Sequence, residues 1–200
     1  MTTDPTHTEK MKALQTEQKK KTSEARDPGR GLILVHTGNG KGKSSSAFGV
    51  IIRALGWGHK VGVVQFIKGK WITGERQFFA KFEDQVTWHT MGEGFTWDTQ
   101  DKDRDIAAAE AAFARACEMT RSGDYDLVVL DEINIALRYD YLDVQAVIDG
   151  LKARSERTSV ILTGRDAKPE LMDYADLVSE MTEVKHPFKA GIKAQRGLDF

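Results

Sequence analysis

The run Leu32-Ile33-Leu34-Val35-His36 leads directly into Thr37-Gly38-Asn39-Gly40-Lys41-Gly42-Lys43-Ser44. This junction constrains the chain more than any other stretch. A short unbroken apolar run is the pattern of a buried strand. The glycines that follow end the strand, and a helix is expected from about Ser44 to Leu55, where Gly56 and Gly58 stop it. A strand, a glycine-rich loop and a helix in that order make an anion cradle. The loop turns backbone N–H groups inward, Lys43 adds an ammonium, Ser44 adds a hydroxyl able to ligate Mg²⁺, and the helix contributes its positive end. A nucleoside triphosphate is the expected ligand. The motif is a variant of G-x-x-x-x-G-K-[ST], because Thr37 occupies the first glycine position. A Gly/Lys-rich surface turn is the alternative, but it needs strand, glycines, Lys43 and Ser44 to coincide by chance. Lys41 is open between a second phosphate contact and a solvated charge.

Beyond the loop, apolar runs alternate with helical patterns. Strands are expected at 60–67, 85–91, 127–130, 159–163 and 177–184, and helices at 75–82, 102–121, 142–154 and 169–173. Continuous apolar strands alternating with helices predict an α/β fold: a mostly parallel sheet with helices on both faces. Ligands in such folds sit at the carboxyl ends of the strands. Asp131-Glu132 follows the strand 127–130 at such an end, where a carboxylate can reach a metal held by Ser44. Asn134 is not followed by the Lys and later Asp of a guanine-reading motif, which favours ATP.

Residues 1–30 are polar and rich in Lys, Glu, Gln and Thr. They read as a mobile tail or as an arm that orders on a ligand or partner, with a solvated helix possible over 9–25. Asp27-Pro28-Gly29 marks a turn, so the folded domain is expected over 31–200. A formal net charge of −1 offers no basic excess for nucleic acid. Cys117 is the only cysteine, which rules out an intramolecular disulfide and any multi-cysteine metal site. No apolar stretch reaches membrane-span or signal-peptide length, so the default setting is cytoplasmic. His36, His59, His89 and His186 are scattered, and none is assigned to catalysis.

Several separated stretches together carry a family resemblance. They are Thr37 to Lys43, Val61-Gly62-Val63-Val64-Gln65-Phe66-Ile67-Lys68-Gly69, Gly94-Phe95-Thr96-Trp97, Val128 to Glu132, Leu162-Thr163-Gly164-Arg165 and Lys193-Ala194-Gln195-Arg196-Gly197-Leu198-Asp199-Phe200. Over residues 31–200 the chain resembles the P-loop ATP:corrinoid adenosyltransferases. The resemblance implies a RecA-like P-loop domain, a homodimer, and transfer of the 5′-deoxyadenosyl group of ATP to the Co(I) of a reduced corrinoid, with triphosphate leaving whole. It also implies a role in making or salvaging adenosylcobalamin, with a reductant protein such as a flavodoxin.

Residue by residue, the resemblance implies that Thr37, Gly38, Asn39, Gly40, Lys41, Gly42, Lys43, Ser44 and Ser45 hold the nucleotide, with Asn39 near the ribose. Lys43 would also act in the chemistry. Ser44 and Glu132 would take Mg²⁺ or Mn²⁺. Arg53 would sit near the nucleotide, a solvated helix charge being its alternative. Phe95 and Trp97 would line the lower corrinoid face and favour four-coordinate Co(II), which is easier to reduce. Ser44-Ser45 stands where Thr-Thr is common in the family, and the hydroxyl survives. Phe200 stands where Tyr is common, which removes a phenol. The tail 185–200 is open between a nucleotide or partner contact and a solvated basic end.

Overall fold

The computed structural model describes residues 5–67, 73–91 and 101–199. Its chain order begins with helix α1 (Pro5–Glu24), strand β1 (Ile33–Thr37), helix α2 (Lys43–Gly56) and strand β2 (Val61–Gln65). Helix α3 (Gly74–Phe79), a 3₁₀ turn (Ala80–Phe82), strand β3 (Val86–Thr90), helix α4 (Lys102–Ser122) and strand β4 (Leu127–Asp131) follow. Then come α5 (Ile133–Arg138), α6 (Val144–Lys152), β5 (Ser159–Thr163), α7 (Pro169–Tyr174), β6 (Leu177–Glu180) and a 3₁₀ turn (Pro187–Ala190). The six strands form one sheet in the order β3-β2-β4-β5-β1-β6, and every neighbouring pair is parallel. One strand, β5, stands between the loop-bearing β1 and the acid-bearing β4. This is the RecA-like arrangement.

Side chains alternate across the strands, so β1, β2, β4 and β5 each feed two cores. Val128, Leu130, Val160, Leu162, Ile33 and Val35 point to one face, where they pack against Ala109, Ala112, Ala116 and Met119 of α4 and against α5, α6 and α7. Leu127, Val129, Ile161, Val61 and Val63 point to the other, against Ala47, Phe48, Ile51 and Ala54 of α2 and Phe79 of α3. Small residues let α4 lie close. A Cβ on Gly150 of α6 would meet the Phe113 ring of α4 at 2.6 Å.

Arg30 joins the start of the domain to β6. Its guanidinium forms two bonds to the Asp176 carboxylate, at 2.8 and 2.5 Å, and the same carboxylate accepts from the Ile33 N–H. The arm is helical over Pro5–Glu24, longer than the segment expected, and its described side chains are exposed. Pairs one turn apart, such as Lys21–Glu17, give such a solvated helix local support. Helix α5 was not expected, and the last strand ends at Glu180 rather than 184.

Candidate nucleotide site

The loop after β1 is shaped from behind. Gly38 has φ +93°, a conformation open mainly to glycine, and a Cβ there would lie 2.5 Å from the Met181 carbonyl. Gly40 has no more room: its N–H donates to the same carbonyl at 2.6 Å. The Met181 N–H donates in turn to the Thr37 carbonyl. The chain just beyond β6 therefore forms the rear wall of the loop. Gly42 also has positive φ and leads into α2, whose first turn carries Lys43, Ser44 and Ser45.

The hydroxyl of Thr37 is engaged within the protein. It accepts from the Ala167 N–H at 3.0 Å and is buried. This gives Thr at the first glycine position a physical reason: the side chain fastens the β1 end to the segment after β5. Lys43 is buried as well, and its ammonium donates to the Gly40 carbonyl at 2.6 Å. Burial pushes this ammonium below the usual lysine range; Glu132 works against the shift and Arg165 adds to it. Beneath the loop, the ring of His36 shares a 2.8 Å hydrogen bond with the Ser46 hydroxyl, and burial holds the imidazole below its ordinary range.

A cleft of about 600 Å³ opens in front of the loop. Its wall includes Gly40 to Ser45, Phe48, Asp131, Glu132, Arg138, Arg165 and Asp199. The volume falls in the range of small-molecule pockets. Asn39 lies outside it, beside a smaller hollow of about 390 Å³ shared with Arg165, Glu180 and Lys189. Arg53 does not join either wall. It is exposed in the last turn of α2, three helical turns from Lys43 by the helix rise. Phe95 and Trp97 lie outside the described residues.

The two acids differ. Asp131 is buried and both its oxygens are engaged: Gln65 Nε2 donates to one at 2.8 Å and the Thr163 hydroxyl to the other at 2.9 Å. Glu132 adopts φ 64°, rare for a residue with a Cβ, and its N–H donates to the Thr163 hydroxyl at 3.0 Å. Period-two alternation puts Gln65, Asp131 and Thr163 on the α2 face of the sheet, beneath the phosphate loop.

Some lining residues carried no role at the level of sequence. Arg165 sat in a quoted motif stretch without an assignment. Arg138 and Tyr139 belong to the unexpected helix α5 and its end. The C-terminal tail also returns to the loop, where Asp199 pairs with Lys41 at 2.5 Å and Leu198 joins the cleft wall. Neither reading of Lys41 foresaw this ion pair.

Strand-loop-helix, parallel sheet and paired acid at the β4 tip define a P-loop nucleotide-binding protein. The family model for ATP:corrinoid adenosyltransferase BtuR/CobO/CobP matches residues 29–200, and the chain belongs to that family. It is 54% identical over 197 residues to a corrinoid adenosyltransferase of Pseudomonas aeruginosa, covering 98% of this chain and 97% of that one. A Sinorhizobium corrinoid adenosyltransferase is 54% identical over 173 residues, with 86% and 81% of the two chains covered. The Escherichia coli K12 corrinoid adenosyltransferase is 46% identical over 171 residues, 86% of each chain.

Proposed function

We propose that this chain moves the 5′-deoxyadenosyl group of ATP onto the cobalt of a reduced corrinoid in the cleft at the ends of β1 and β4. The observation that carries the reading is a phosphate loop, with Lys43 at its centre, opening on a cleft that holds both basic and acidic side chains, in a chain of the adenosyltransferase family. The Co(I) electron pair forms the bond to C5′, and the C5′–O bond breaks. Its electrons leave with the triphosphate. No proton need be removed from the nucleophile, so no general base is required. What the site must do is stabilise a departing polyanion. The loop and Lys43 would supply positive charge to the leaving group, and Arg165 and Arg138 of the same cleft would add to it. Lys43 would exchange the Gly40 carbonyl for a phosphate oxygen when ATP enters.

Ser44 and Glu132 share the cleft and offer hard oxygen donors, which fits Mg²⁺ bound through few protein ligands together with phosphates. Bound there, Mg²⁺ or Mn²⁺ would neutralise part of the leaving charge. Asp131 would support that site from behind rather than enter it, because its oxygens are already engaged. Asn39 in its side hollow is compatible with a ribose contact. Phe95 and Trp97 are assigned to the lower corrinoid face by the family resemblance. The homodimer and a flavodoxin-like reductant rest on the same resemblance, and a cytoplasmic setting is the reading for a sequence with no apolar stretch of leader or span length. No helix among the described residues is long and apolar enough to cross a membrane.

The deciding assay combines the protein with ATP, Mg²⁺ and chemically reduced cobalamin. The expected products are a light-sensitive adenosylcorrinoid and intact triphosphate. ADP and phosphate without a cobalt–carbon bond would overturn the proposal.

A further inference from the structure

Four strands contribute polar side chains to a chain of hydrogen bonds under the loop, fully buried at Gln65 and Thr163 and nearly so at Asp131. Register explains how they meet: Gln65 at the end of β2 is paired with Thr90 on one side and Asp131 on the other. Arg76 of α3 donates to the Thr90 hydroxyl at 2.8 Å, and Thr90 donates to Gln65 Oε1 at 3.3 Å. Trp88 Nε1 donates to the same oxygen at 3.0 Å. This fixes the Gln65 amide, so its NH₂ group faces Asp131. From the other side the Thr163 hydroxyl donates to Asp131 and accepts from the Glu132 N–H. Every donor has one acceptor, and the directions converge on an Asp131 that accepts only.

Thr163 is fully buried and is the link to the backbone of Glu132, which lines the cleft. Its hydroxyl is the only group in this chain of bonds that touches both acids. Glu132 stands in a left-handed conformation that a side-chain-bearing residue leaves unless something holds it. The hydrogen bond from its N–H to Thr163 is such a hold. Without it, relaxation of the Glu132 backbone would swing the carboxylate away from Ser44.

We propose that Thr163 is a positioning residue: anchored on Asp131 and Gln65, it keeps Glu132 in its left-handed conformation and thereby aims the Glu132 carboxylate at the metal that accompanies the triphosphate. The inference rests on the assignment of Glu132 to that metal. It adds a residue that touches neither metal nor substrate.

The test compares Thr163→Val, Thr163→Ser and Glu132→Gln with the unchanged protein. Three quantities are read: Mn²⁺ bound in the presence of ATP, from the EPR signal of free Mn²⁺; ATP bound in excess EDTA; and the Mg²⁺ concentration giving half-maximal adenosylation. Thr163→Val is isosteric but lacks the hydroxyl. It should weaken Mn²⁺ binding about 10-fold or more, the usual effect of losing a group that orients a metal ligand. Metal-free ATP binding should hold, and the half-maximal Mg²⁺ concentration should rise. Thr163→Ser should restore all three. If Glu132→Gln loses Mn²⁺ while Thr163→Val keeps it, the inference is overturned and the metal assignment stands. If both keep Mn²⁺, the metal assignment itself fails and takes the inference with it. Equal loss of metal-free ATP binding in Thr163→Val would show a packing role and overturn the inference. Should Thr163→Val not fold, Thr163→Ala is read by the same criteria.

Discussion

The Asp199 carboxylate lies 2.5 Å from the Nζ of Lys41, so an acid from the C-terminal tail sits on the phosphate loop itself. The Lys41 ammonium and the Gln195 N–H hold Asp199 below the usual carboxylate range, so at neutral pH it is an anion where the proposed ligand is also an anion. Asp199→Asn should therefore strengthen ATP binding, by about 2- to 5-fold at low salt given the exposed position of the Lys41 ammonium. The gain should fade as salt rises. Titration of wild type and variant with ATP at two ionic strengths checks both statements.

Lys43→Ala should lower the adenosylation rate about 100-fold or more, since it removes the ammonium aimed at the leaving charge. Circular dichroism should show an intact fold. Lys43→Arg should not rescue, because a planar guanidinium does not fit a cradle built for a point charge. Single-turnover rates with prereduced cobalamin separate the chemical step from reduction.

Gly38→Ala combines a left-handed backbone with a Cβ driven against the Met181 carbonyl. The strain alone is of order 1–3 kcal/mol. Urea unfolding should show a loss at least that large, accompanied by weaker ATP binding. Gly56→Ala is the contrasting case: its position in α2 is open and has no positive φ, so stability should rise by about 0.4–1 kcal/mol.

Arg30 pulls the Asp176 carboxyl down to about 2. In the unfolded chain the group titrates near the ordinary value of 3.8. The folded state thus binds fewer protons between these values, and stability rises with pH across that window. The contribution is complete above pH ~4 and is lost as pH falls toward ~2. Asp176→Asn should lower the melting temperature at neutral pH and reduce the slope of stability against pH in this window. Melting curves from pH 2 to 6 for both proteins test it.

Phe95→Ala and Trp97→Ala should spare the reaction when Co(I) is supplied prereduced and impair it when a protein donor must reduce Co(II). Equal loss in both assays would remove the two aromatics from the lower corrinoid face.

Much of this architecture was legible because burial writes itself into local pattern. The runs Leu127 to Leu130 and Ser159 to Thr163 read as strands and are central strands of the sheet. The phosphate loop was legible for the same reason, with every part contiguous in the chain. Helix α5 was not, because it has six residues and starts from a left-handed Glu132 that no local signal announces. The link from Gln65 to Asp131 spans 66 positions and the link from Thr163 to Asp131 spans 32. Such bonds exist only through sheet register, and no local spacing encodes them. Thr37 looked like a weakened motif because its partner, Ala167, is 130 positions away.

The rear wall of the loop has a consequence for the order in which the protein becomes competent. Gly38 and Gly40 lean on Met181, and β1 receives its outer neighbour only when Leu34 pairs with Leu177. During synthesis the loop emerges well before its support, which lies some 140 positions further along the chain. A nascent chain ending before Met181 can pair β1 through β5, with the loop still lacking the carbonyl that Gly40 bonds. The complete loop, and with it full nucleotide affinity, therefore requires the chain as far as Met181, and ATP can act as a folding ligand only once that segment is in place.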